Sequence, residues 1–160
     1  MLDKYNLEKT VRNLVGNSIV KEVMNLELAV KLIEAVKKKA EEMGMRVVIA
    51  VSDASGRPIA VHCMDGAYHG SFDVALNKTY TSTAFQMATS RLAELCRPGG
   101  ELYGLQFSND GKVMILGGGE PLKVGDTMIG ALGVSGGTAK QDTELAAYGS
   151  SILKEVIKCL

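Results

Sequence analysis

Residues 47–67 read VVIAVSDASGRPIAVHCMDGA. The run from Arg46 to Asp53 is β-branched and apolar, which predicts a buried strand. Ala54-Ser55-Gly56-Arg57-Pro58 carries turn chemistry, and Ile59 to Met64 returns as the second strand of a hairpin. Strands joined by so tight a turn must pair antiparallel. On the returning strand Ile59, Val61 and Cys63 share one face, and Ala60, His62 and Met64 share the other.

Outward from this hairpin the pattern changes period. On the N-terminal side, Leu28, Leu32, Ala35, Val36 and Ala40 recur at helical spacing, predicting a helix from about Asn25 to Met43. Asn25 is placed to cap it and Gly44 to end it. Residues 5–15 hold a shorter amphipathic pattern (Leu7, Val11, Leu14, Val15), interrupted by Gly16-Asn17-Ser18. The chain therefore divides into a leading helix and linker, 1–24, and a domain, 25–160. On the C-terminal side, Asp65 to Gly70 is a loop, and Ser71 is read as the cap of a helix over Phe72 to Met87. The small residues of that helix, Ala75, Thr79, Ser82, Thr83 and Ala84, allow close approach of another element. A short helix covers Ser90 to Cys96 before Pro98-Gly99-Gly100 breaks the chain. Lys112 to Leu116 (KVMIL) reads as a third strand, and Glu120 to Lys123 with Thr127 to Ser135 as a second hairpin. Thr138 to Ile157 reads as a final helix. The expectation is an α+β domain: a central antiparallel sheet of about five strands with helices packed on its faces.

Composition narrows the function classes. The 160 residues fit one ordinary domain. Eighteen basic and eighteen acidic residues cancel, so no general electrostatic pull on nucleic acid or anionic membrane is expected. No window of eighteen consecutive apolar residues is present, so no membrane-spanning helix is expected. Three cysteines, Cys63, Cys96 and Cys159, match neither a zinc nor a redox motif. Free thiols and the absence of a long apolar leader point to a cytoplasmic location.

Three stretches in order, residues 47–67, SFDVALNKTYTSTAF (71–85) and IGALGVSGGTAKQDTELAAYG (129–149), are similar to the GlcG/HbpS family. That family includes the C-terminal domain of PduO-type corrinoid adenosyltransferases. The resemblance covers roughly Leu26 to Leu160. It implies a profilin-like fold, homo-oligomers, and a haem ligand, with a corrinoid as the second choice. It also places such proteins in glycolate, propanediol or glycerol catabolism. Two departures stand out: the family often has Arg where this chain has Cys63, and Lys-Ala where it has Lys78-Thr79. Residues 1–24 resemble peptides that carry cargo into bacterial microcompartments. The preferred reading of them is an extra helix packed across an oligomer interface.

Within this setting His69 is the first candidate to bind iron, since neutral imidazole is a common axial ligand. It lies in the Asp65–Gly70 loop, just ahead of a helix N-terminus whose dipole suits a propionate or phosphate. His62, within a strand, is the second histidine, and Tyr68 and Met64 are weaker ligands. Lys78 is read as a partner for an anionic ligand group, on the family pattern. Gly136-Gly137 leads into the last helix and, like Gly117-Gly118-Gly119, is either an anion cradle or a tight turn. Asp142 and Glu144 are explained by the dipole of the last helix. No nucleophile motif, HExxH pair or paired-carboxylate pattern is evident. The reading is a haem- or corrinoid-binding accessory protein; the alternatives are an enzyme acting on a small organic acid or aldehyde, and a scaffolding protein.

Overall fold

A computed structural model describes residues 23–160. The leading helix expected over residues 5–15, and with it the microcompartment reading, lies outside the described residues. Four α-helices and four strands follow in order: α1 (Leu26–Glu42), β1 (Val48–Asp53), β2 (Pro58–Cys63), α2 (Ser71–Phe85), α3 (Thr89–Leu95), β3 (Gly119–Val124), β4 (Thr127–Ser135) and α4 (Ala139–Lys158). All strand pairs are antiparallel, in the spatial order β2-β1-β4-β3. The alternation of β1 divides the core. Ile49 and Val51 stand opposite Val134 and Leu132 and face α1 and α4. Val48 and Ala50 face the other way, towards Ala75 of α2. β1 is therefore apolar on both faces, because helices cover both.

The helix ends follow the sequence signals in part. Asn25 accepts the Leu28 N–H at 2.9 Å, and Gly44 adopts φ +67° just beyond α1. Thr138 and Gln141 close a capping box on α4. Ser71 is not the cap of α2. The N-cap is Gly70, and Ser71 is already helical and buried. Met24, assigned from sequence to the linker, is buried in the main core and lies against Gly130.

The sheet has four strands among the described residues, not about five. Lys112 to Leu116 does not join it. Its backbone turns to α2 instead. The Met114 N–H donates to Thr81 Oγ1 at 2.8 Å, and Val113 packs with Leu92 and Cys96 in a separate small cluster. An apolar β-branched run satisfies a helix-side pocket as well as a strand, so periodicity alone did not separate the two. No helix among the described residues is long and apolar enough to cross a membrane.

Candidate functional site

The loop from Met64 to Gly70 leaves the end of the edge strand β2 and delivers the chain into α2. It folds back tightly: Ala67 N–H donates to the Met64 carbonyl, and Ser71 N–H to the Tyr68 carbonyl, each at 3.0 Å. This return places His69 and Tyr68 over the α2-side face of β1 and β2. Val48, Cys63, Ala67, Tyr68, His69 and Phe72 line a cleft of about 280 Å³ there. The strand alternation read from sequence explains why Cys63 belongs to it. Cys63 pairs with Val48, and both project towards α2. Tyr68 is 76% exposed and Phe72 42% exposed, so the cleft has an aromatic rim open to solvent.

The structure brings Tyr68 and His69 together and separates His62 from them. His62 pairs with Ile49 and so projects to the α1 side of the sheet. There its Nδ1 lies 3.2 Å from Glu34 Oε1 on α1, an ion pair when the ring is protonated. Among the described residues His69 has no such carboxylate partner, and its ring is exposed. Met64, the weaker ligand candidate, is buried against the main core.

Lys78 is not available to an outside ligand. It is 1% exposed. Its Nζ donates to Asp142 Oδ2 at 2.9 Å and to the Val134 carbonyl at 2.6 Å. Burial pushes the ammonium below the usual lysine range, while the hydrogen bond and charge of Asp142 act against that push. The side chain reaches Asp142 through a gap that glycines keep open. A Cβ on Gly118 would lie 2.8 Å from Lys78 Nζ and 2.7 Å from both the Val134 carbonyl oxygen and Asp142 Cβ. The pair thereby ties α2, on one face of the sheet, to α4, on the other. The dipole explanation of Asp142 is accordingly too small. Its carboxylate answers a buried cation and also accepts the Gly137 N–H at 2.9 Å.

That last bond bears on Gly136 and Gly137. The Gly137 N–H, which an anion cradle would need, is already donated to Asp142. Gly136 sits at φ +150° with its Cα against the backbone of Arg46 and Val47. The chain's own groups fill the cradle, and packing accounts for both glycines.

Sequence reasoning did not place Phe72, Val48, Ala67 and Cys63 at the site. For Cys63 and Val48 the available signal was the pleat, which puts both on the α2 face once the hairpin register is known. Nothing local marked Phe72 or Ala67, because loop closure alone brings them in. Among the described residues no three His, Cys, Asp or Glu side chains converge as a metal site.

Comparisons with known proteins agree with this architecture. The family model described as "Haem degrading protein HbpS-like" matches residues 24–151. An uncharacterised 15.0 kDa protein from the dhaT–dhaS intergenic region of Citrobacter freundii is 41% identical over 133 residues, covering 83% of this chain and 94% of its own. The corrinoid adenosyltransferase PduO of the same organism is 37% identical over 116 residues. That match covers 72% of this chain but 35% of PduO, so this chain spans about a third of the enzyme. Among solved structures, a PduOC:haem complex superposes with a TM-score of 0.76 at 32% identity, covering 81% of this chain and 94% of that one.

Proposed function

The chain belongs to the HbpS-like family, and from that premise we propose that it binds haem at the cleft between β2 and α2, with His69 as the iron ligand. The observation that carries the reading is the convergence of an exposed imidazole, with no carboxylate partner among the described residues, with the Phe72 ring, Tyr68, Val48 and Ala67 in one cleft. The donor set fits the group. Imidazole and phenolate oxygen are both established axial donors to haem iron, and the apolar walls suit a flat macrocycle. When bound, haem would supply the redox and oxygen chemistry, while the protein holds, orients and partly shields it.

His69 holds the position better than His62, which projects to the α1 side of the sheet, away from the aromatic cleft. Tyr68, next to His69 and largely exposed, is placed to close over a bound ring. A corrinoid remains the second ligand by family likeness. The relative that acts on corrinoids carries about two thirds of its length beyond the matched portion, so adenosyl transfer is not transferred with the fold. The setting we propose is the catabolism of propanediol, glycerol or related small molecules.

Titration with haemin, followed through the Soret region, tests the assignment. The wild type and His62→Ala are expected to give a saturable Soret shift, and His69→Ala to lose it. Absence of any saturable shift in the wild type would overturn the haem reading. A shift lost in His62→Ala and kept in His69→Ala would move the ligand to the other side of the sheet.

A further inference from the structure

Cys63 is the common wall of three depressions. Besides the His69 cleft, one of about 290 Å³ is lined by Lys37, His62, Cys63 and Met64. Another, of about 540 Å³, adds Glu41, Arg46 and Asp65 to Lys37, Cys63 and Met64. Because β2 is an edge strand and Cys63 its last residue, no further strand among the described residues separates the two faces beyond it. The depressions therefore meet around the end of β2. Size argues that they act together. The His69 cleft alone falls just short of the roughly 300–1,000 Å³ of small-molecule sites, whereas the neighbouring one lies within that range.

The two ends differ in chemistry. The His69 end is aromatic and apolar; the far end is charged, with Lys37 and Arg46 alongside Glu41 and Asp65. The nearest carboxylate to Lys37 is Glu34, at 3.7 Å one turn back on α1, with both side chains more than a third exposed, which makes a weak pair. Arg46, exposed, has no carboxylate within 4.0 Å among the described residues, and its guanidinium donates only to the Met45 carbonyl at 3.3 Å. Glu41 and Asp65 line the same depression, yet neither pairs with either cation. A ligand matching this polarity has a flat apolar body and carboxylates along one edge. Arginine's fork suits a carboxylate in particular.

We propose that Lys37 and Arg46 form a carboxylate-binding rim that orients a dicarboxylate tetrapyrrole, its propionates towards α1 and the entry to β1, its apolar ring towards Cys63 and Phe72. The proposal rests on the haem reading above and adds the direction in which the ligand lies. It assigns the site's selectivity to two side chains on the opposite face of the sheet edge from His69.

The test compares two probes on two proteins. Wild type and the Lys37→Gln, Arg46→Gln double variant are titrated with haemin and with haemin dimethyl ester, whose carboxylates are blocked. Both side chains are largely outside the core, so the variant keeps the fold, which far-UV circular dichroism checks. The expected result is about a tenfold rise in the haemin Kd of the variant, with the ester bound equally by both proteins. Equal haemin affinity in the two proteins would overturn the rim. So would an equal loss for both probes, which would mean a change of shape rather than of charge. In either case haemin still binds the wild type and the haem reading stands. If the wild type binds neither probe, both proposals fall together.

Discussion

Lys78 and His69 belong to the same short stretch of chain and end in opposite conditions. Lys78 is threaded between glycines to a carboxylate and a carbonyl, with its ammonium out of water. His69 stands in a cleft with an open rim and no carboxylate partner among the described residues. By sequence the lysine looked like a ligand anchor. In the structure its charge is consumed in holding two helical layers together. A polar side chain serves an outside ligand only when the fold leaves its valence unspent. Near Lys78 the small residues of α2 and the glycines of β3 and β4 close the structure. Near His69 a loop at the edge of the sheet leaves it open.

Breaking the closed region should give the largest effect. Asp142→Ala leaves the Lys78 ammonium buried without its counter-charge. It is expected to cost about 3–5 kcal/mol in urea-monitored unfolding. Replacing both partners, Lys78→Met with Asp142→Leu, should cost much less, because no unpaired charge remains. A double variant as unstable as the single one would show that the pair's hydrogen bonds to Val134 and Gly137, not its charges, hold the layers.

Gly133 sharpens the same comparison through packing. Its Cα faces α2, and an added Cβ would run into the Ala75 carbonyl and lie 2.9 Å from Thr79 Cγ2. Gly133→Val is expected to lose about 1–3 kcal/mol by forcing α2 off the sheet. Full stability in this variant would mean that the helix has room to slide.

Glu120 is a smaller departure within the closed region. Burial raises its carboxyl above the usual glutamate range. The folded state therefore binds this proton more tightly than the unfolded chain does. Its contribution to stability is fully present below the ordinary glutamate pKa and is lost as pH rises through the raised folded value. Glu120→Gln should accordingly raise the urea midpoint slightly at neutral pH and leave it unchanged in acid. The same gain at both pH values would assign the effect to something other than ionisation.

The open region should be nearly silent in stability. His69→Ala is expected to change unfolding by no more than about 0.5 kcal/mol while abolishing the haemin-induced Soret shift. A large destabilisation would mean that the loop is part of the closed structure after all.

Much of the fold was legible from local pattern. The hairpin at residues 47–67, the cap at Asn25 and the small residues of α2 follow from turn chemistry, capping and side-chain size. What local pattern misassigned were segments that two environments satisfy equally. Val113 and its neighbours suit a strand or a pocket beside α3, and the choice was made by Thr81 offering a hydroxyl to Met114. Ser71 is a good cap by type, but the tight return of the loop gave that place to Gly70.

The candidate site divides in the same way. The sequence determined the antiparallel pairing at residues 47–67, the alternation that sets His62 and Cys63 on opposite faces, and the placing of His69 ahead of a helix, because these are properties of neighbouring residues. Only the tertiary structure decided that Lys78 would meet Asp142, that His62 would lie beside Glu34, and that Phe72 and Val48 would join His69 around one cleft. Those contacts join residues distant in the chain or depend on how the loop closes. Which of them form is fixed by the helices docking on the two faces of the sheet, and periodicity along the chain carries no record of that docking.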